Sequence, residues 1–244
     1  MNAETLAASF AILLLAYFIR GISGFGSGLI AVPLLAHFLP LQFVVPLVLV
    51  LDFSASLALS RRTRGHARWD EIRPVLPFSI AGVFLGVALL IELPREPLLT
   101  GLGLFVMIFG LRNLLNLHGD QPISRLWAAP AGLTGGMVGA LFGTGGPPYV
   151  IYFSHRIRDK SEIRATFSGL FLLDGGLRIA AFLATGLLLQ PGLWLALLSA
   201  LPVMAAGLYL GHKVHVGISN AQMLKLIGGL LLGSGMSLLW KAWG

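Results

Sequence analysis

Four charged residues stand inside otherwise apolar stretches of the 244-residue chain: Arg20, Asp52, Asp174 and Arg178. Even on the gentlest scale a charge at the centre of a membrane span costs about 2.5 to 3.5 kcal/mol, so such a residue faces an interior and is held there by a partner or a function. Asp52 and Asp174 are candidates for coupling or gating; either could instead cap a freed backbone amide or pair with an arginine. Arg178 follows Asp174 by four residues, which on a helix puts both on one face, where the arginine can pair with that aspartate or with an anion. Arg20 joins the coupling or gating candidates, unless it snorkels to a membrane interface.

The backbone offers a second chemistry. The string Phe-Gly-hydroxyl-Gly occurs twice, as Phe25-Gly26-Ser27-Gly28 and Phe142-Gly143-Thr144-Gly145, each time within an apolar stretch. Where a helix restarts after such a break, its first amides lack intrahelical partners and carry the positive end of the helix dipole, which makes a ready anion site. Ser27 and Thr144 add hydroxyl donors. Glycine permits positive φ and close backbone approach, and Pro147 or Pro148 suits the first turn of a restarted helix, where its missing amide would be orphaned anyway. A glycine-rich helix crossing is the other use of such residues; it suits Gly82/Gly86 and Gly207/Gly211 better.

These residues need long apolar elements to position them. Apolar residues make up 56% of the chain and charged ones 11%, against roughly a quarter charged in soluble domains. Six stretches, near 41–60, 74–93, 97–117, 163–186, 192–212 and 221–240, are each long enough to cross a hydrocarbon core of about 30 Å as a helix. Residues 5–39 and 126–155 would be rods of roughly 52 and 45 Å, and both are broken at the centre by glycine or proline. Each reads as a helical hairpin that enters and leaves on one side, its tip buried in protein or lining a wet cavity.

The two strings mark a duplication. Phe142 follows Phe25 by 117 residues, Asp174 follows Asp52 by 122, and Gly207, Gly211, Gly228 and Gly235 follow Gly82, Gly86, Gly103 and Gly110 by 125. The offset only grows, as for two halves, 1–120 and 121–244, that gained short loop insertions. A hairpin plus three spans makes an odd number of crossings, so the second half inserts inverted. Arg61, Arg62, Arg64, Arg68, Arg73, Arg112, Arg125, Arg156, Arg158, Lys160, Arg164, Lys213 and Lys225 then fall on one side, against Arg95 and Lys241 on the other. Thirteen against two makes the first side cytoplasmic and puts both chain ends outside. The expected fold is an all-α, polytopic helical membrane protein of two inverted repeats forming one transport domain, with its two tips facing each other at the midplane, the arrangement of transporters with discontinuous helices.

Several other classes are excluded. The cluster Arg61-Arg62-Thr63-Arg64 with Arg68 is an orientation signal that meets anionic lipid headgroups, not nucleic acid. There is no cysteine, hence no thiolate metal site or thiol catalysis, and the pair His212 and His215 lacks a nearby carboxylate, so neither metal nor cofactor is expected. No Gly-x-x-x-x-Gly-Lys loop is present. Two membrane aspartates also describe an intramembrane aspartyl protease, but Asp174 follows Leu172-Leu173 and is opposed by Arg178, which keeps it ionised; no enzymatic activity is expected.

Gly21-Ile22-Ser23-Gly24-Phe25-Gly26-Ser27-Gly28 with Val32-Pro33, and Gly139-Ala140-Leu141-Phe142-Gly143-Thr144-Gly145-Gly146-Pro147-Pro148, resemble the paired signatures of the sulfite exporter TauE/SafE family, the four-toluene-sulfonate uptake permease group. The resemblance covers nearly the whole chain. It implies an inner-membrane protein that moves small sulfur-containing or organic anions such as sulfite, sulfoacetate or related sulfonates. Motif matching places the substrate on Gly24, Phe25, Gly26, Ser27 and Gly28, and on Phe142, Gly143, Thr144, Gly145, Gly146, Pro147 and Pro148. With the interior negative, an anion leaving the cell gains about 2.3 kcal/mol per charge per 100 mV, so export can run without a coupling ion. Uptake needs one, for which Asp52 or Asp174 could carry a proton. An anion channel or a structural membrane subunit is the alternative; only a carrier shows saturable counterflow.

Overall fold

The computed structural model describes residues 3–23, 26–60, 67–115, 122–213 and 220–243. They form ten α-helices: α1 (Ala3–Ser23), α2 (Ser27–Leu35), α3 (Leu41–Ser60), α4 (Trp69–Glu92), α5 (Arg95–Leu114), α6 (Ala128–Phe142), α7 (Gly146–Arg156), α8 (Lys160–Ala184), α9 (Leu193–Lys213) and α10 (Asn220–Trp243). Two short 3-10 turns, Arg125–Trp127 and Leu187–Leu189, precede α6 and follow α8. The six expected spans are α3, α4, α5, α8, α9 and α10, and no strand occurs among the described residues. The loop cluster Arg61, Arg62 and Arg64 lies outside them.

Helix ends explain where the observed bounds differ from the expected ones. The span expected from residue 74 starts at Trp69 and carries Pro74 and Pro77 inside it; Asp70 and Glu71 sit in its first turn, where carboxylates complement the helix dipole. α8 starts at Lys160 because Asp159 caps it, its Oδ1 accepting the Glu162 amide at 2.9 Å. Gly186, at φ 77°, stops the chain after α8 in a left-handed turn that other residues resist.

Both expected hairpins are broken helix pairs with unequal arms. α1, with 21 residues, is itself long enough to cross a membrane, and Glu4–Ile22 is one of five span-length apolar segments found among the described residues. Its partner α2 has nine residues, about 14 Å. α6 and α7 have 15 and 11, about 22 and 17 Å, too short to cross. The ends of this second hairpin meet, since Arg156 Nη1 donates to the Ile123 carbonyl at 3.0 Å.

The chain divides into two compact units. Unit 1 comprises Met1–Val44, Leu93–His118 and Gly192–Gly244, and so holds α1, α2, α5, α9 and α10; within it α1 packs along α9 and α5 along α10. Unit 2 comprises Val45–Glu92 and Gly119–Pro191, with α3 from Val45 onward, α4, α6, α7 and α8; α4 packs along α6. Each unit therefore draws on both chain halves. The sequence offsets carry the α1–α9 pair onto α6–α4, so the two units use one packing motif.

Glycine makes that motif. A Cβ at Gly82 or Gly86 of α4 would lie 2.2 or 2.4 Å from the Leu133 or Met137 carbonyl of α6, and one at Gly132 or Gly136 would lie 2.5 or 2.3 Å from the Val75 or Ser79 carbonyl of α4. In unit 1 a Cβ at Gly211 would stand 2.1 Å from the Phe18 carbonyl. Backbones this close exclude any side chain. Gly82/Gly86 and Gly207/Gly211 are thus helix crossings, as their spacing indicated.

Candidate functional site

The tip in unit 2 is built by its turn residues. Gly143 ends α6 at φ 67°, its amide still bonded to the Gly139 carbonyl at 3.0 Å, a left-handed cap that favours glycine. Thr144 and Gly145 follow, and α7 restarts at Gly146 with Pro147 in its first turn. A Cβ on Gly145 would fall 2.5 Å from the Gly135 carbonyl, whereas one on Gly146 would make only ordinary contact with Phe167 at 3.5 Å. Gly145 therefore clamps the start of α7 against α6. Thr144 is 4% exposed, and its buried hydroxyl has no hydrogen-bond partner among the described residues. Pro147 and Pro148 have no N–H, so the amides at this helix start are those of Gly145 and Gly146; a buried donor beside them is what an anion would satisfy.

Arg178 reaches this tip from α8. Its Nη1 donates to the Gly139 carbonyl at 2.8 Å, and a Cβ on Gly139 would stand 3.3 Å from that nitrogen and 3.4 Å from Gly145 Cα, so guanidinium and tip meet over Gly139. Arg178 Nε lies 2.9 Å from Asp174 Oδ2 in the expected i,i+4 ion pair, off the line of a hydrogen bond, and neither atom has a hydrogen-bond partner among the described residues. The other carboxylate oxygen, Oδ1, accepts from Ser79 Oγ at 2.7 Å and Tyr149 Oη at 3.1 Å, and those hydroxyls are 2.8 Å apart. Asp174 and Arg178 are 3% and 2% exposed. Ser79 and Tyr149 had no sequence signal: Ser79 is the one hydroxyl in α4, and Tyr149 is one of three in α7, with Tyr152 and Ser154. Only the fold brings them to Asp174, with Gly135 making room for the Tyr149 ring.

In unit 1 the tip is differently furnished. Gly26 caps α2 at φ 94°, and Arg20 Nη1 donates to Ser27 Oγ at 2.9 Å, both residues buried. Arg20 thus turns to the tip and does not snorkel. Gly28 is buried in the first turn of α2; Gly24 and Phe25 lie outside the described residues. Asp52 is 5% exposed on α3, and Ser56, one turn on, is also buried. The offset of 122 aligns Ser56 with Arg178, so only the second repeat pairs its span aspartate with a cation four residues on.

A profile of the sulfite exporter TauE/SafE family matches residues 9–238, both tips included. The chain belongs to this family. It is also similar to the probable inner membrane transporter protein TsaS of Comamonas testosteroni, at 31% identity over 202 residues that cover 81% of this chain and 83% of that protein. No solved structure matches it. Membership and likeness together make this a multi-pass membrane transporter and point away from an enzyme.

This TauE/SafE protein has a second buried carboxylate network, which the sequence did not signal. Glu71, 2% exposed, accepts from Arg156 at 2.7 and 3.2 Å and from Tyr152 at 2.9 Å, with Arg125 at 3.4 Å. Arg68 adds ion pairs to Asp70 at 2.9 Å and Glu162 at 3.4 Å; its hydrogen bond to Asp70, ahead of the charge attraction, holds its guanidinium above the usual pKa. The starts of α4, α6 and α8 and the end of α7 are thereby tied at one end of unit 2. No cluster of metal-ligating residues occurs among the described residues; His215 lies outside them.

Proposed function

We propose that the protein carries small sulfur-containing or organic anions, such as sulfite, sulfoacetate or related sulfonates, out of the cell by alternating access, with both glycine-rich tips as its substrate-binding elements. The reading rests on the unit 2 tip, where α7 restarts, where the buried Thr144 hydroxyl has no hydrogen-bond partner among the described residues, and where Arg178 meets the tip over Gly139. Three donors of positive potential with one nearby carboxylate suit an oxyanion. Family membership supports the substrate class, and the positive-inside count supports an inner-membrane setting with the repeats inverted and both chain ends outside. Export of an anion runs down the membrane potential.

The test is counterflow in proteoliposomes preloaded with sulfite, sulfoacetate or ethanesulfonate. Saturable exchange of at least one is expected, and choline and glucose should not exchange. Exchange of the cation or neutral solute alone would refute the anion assignment, and flux without counterflow would make the protein a channel.

A further inference from the structure

Asp174 Oδ1, Ser79 Oγ and Tyr149 Oη form a closed triangle with edges of 2.7, 2.8 and 3.1 Å. Each edge is short enough to hold one hydrogen. Each hydroxyl has a single hydrogen to give, and an ionised carboxylate has none. With Asp174 ionised, two hydrogens serve three edges and one pair of oxygens faces without a donor. A third hydrogen on Asp174 Oδ1 completes the ring, each oxygen donating once and accepting once. Opposite this ring, Oδ2 holds Arg178 by charge alone, 2.9 Å away and off hydrogen-bond alignment. The carboxylate therefore sits between a ring that suits its acid form and a cation that suits its ionised form.

We propose that Asp174 is the proton-binding site of the transporter, and that anion binding at Arg178 and protonation of Asp174 are one event. This rests on the anion reading of the unit 2 tip. An oxyanion seated on the Gly145 and Gly146 amides and the Thr144 hydroxyl takes Arg178 Nε in place of Oδ2, and the carboxylate, losing its cation, takes a proton from solvent onto Oδ1. No covalent bond between heavier atoms changes. Anion and proton cross together, so a monoanion moves without net charge and a dianion moves with one negative charge, which the membrane potential still drives outward. Among the described residues the groups facing Asp174 are few: Arg178 on α8 itself, Ser79 on α4, Tyr149 on α7, and the Gly139 carbonyl of α6 through Arg178. From α3, Phe53 lies against Gly175, next to the other buried carboxylate, Asp52. The turn after α8, Leu187–Leu189, has no titratable side chain.

The full-length protein is reconstituted with a trapped pH dye, the voltage clamped at zero with potassium and valinomycin. Sulfoacetate and ethanesulfonate, whose charges do not titrate between pH 6 and 8, are the probes. An inward gradient of the exchanged probe should acidify the interior, and its half-saturation concentration in counterflow should rise by up to about tenfold per pH unit, the slope of one linked proton. Asp174→Asn, which leaves Arg178 unopposed, should move no proton, show a flat pH profile and bind the probe about tenfold more tightly at pH 8. Asp174→Glu should restore proton movement, which a merely structural role would not require. Saturable exchange with no proton movement and no pH dependence in the wild type would overturn the coupling while leaving the proposed function standing. So would proton movement that survives in Asp174→Asn but is lost in Asp52→Asn. Absence of exchange for every anion would refute both.

Discussion

At the scale of single residues, Thr144 separates binding from folding. Its hydroxyl is buried and has no hydrogen-bond partner among the described residues, so Thr144→Val keeps shape and removes the hydrogen bond that the proposed anion would make. We expect weaker binding of the exchanged anion, by roughly tenfold for a hydrogen bond to a charged group, with melting temperature unchanged. Unaltered half-saturation in counterflow would take Thr144 out of the site. Residues of this kind were legible unevenly. Asp174 and Arg178 announced themselves because a charge in an apolar run is expensive wherever the helix lies. Ser79 and Tyr149 cost little in any environment, so nothing in one dimension distinguished them from other hydroxyls. Glu71 escaped because the span was expected to start at Pro74, which put the carboxylate in a solvated loop; extended to Trp69, the same helix buries it under Arg156 and Tyr152.

At the scale of elements, the glycines fall into two groups that a single methyl can tell apart. A Cβ at Gly136 would overlap the Ser79 carbonyl of α4 at 2.3 Å, whereas one at Gly229 of α10 meets nothing within 4 Å. Gly136→Ala should therefore part α6 from α4 and cut the yield of monodisperse protein, at a cost of about 1 to 3 kcal/mol. Gly229→Ala should keep or raise it, since alanine is the better helix former by about 1 kcal/mol. Equal yields from the two variants would mean that the α4–α6 contact does not hold the fold. The four-residue spacing of Gly82/Gly86 and Gly207/Gly211 made their crossings readable, because small residues four apart line one face. The double duty at the tip was not readable. Gly145 stands in the string proposed to bind the anion, and it is also a packing residue with the Gly135 carbonyl against it. In a broken helix both uses call for the same residue type.

At the scale of the whole molecule, the sequence offsets propose two repeats but not how their helices pack: each compact unit combines helices from both halves, and a periodic pattern says which faces are apolar without saying which partner covers them. Orientation rests on charge. In unit 2, Arg68, Arg125 and Arg156 converge on Asp70, Glu71 and Glu162 at one end. These arginines belong to the set of thirteen that the positive-inside rule assigns to the cytoplasm. Asp159, exposed in the α7–α8 connection, follows Arg158 on the same basic side, and Glu92, exposed at the far end of α4, lies one span away from Arg68. Single cysteines at these two positions, in a chain with no native cysteine, should react with an impermeant maleimide from opposite faces: Asp159→Cys only in inverted vesicles, Glu92→Cys only in intact spheroplasts. Labelling of both from one face would mean that α4 does not cross, and with it the odd number of crossings that inverts the second half would be lost. Reversed labelling would leave the spans in place and turn the molecule over, putting thirteen cations outside against the field that orients such proteins.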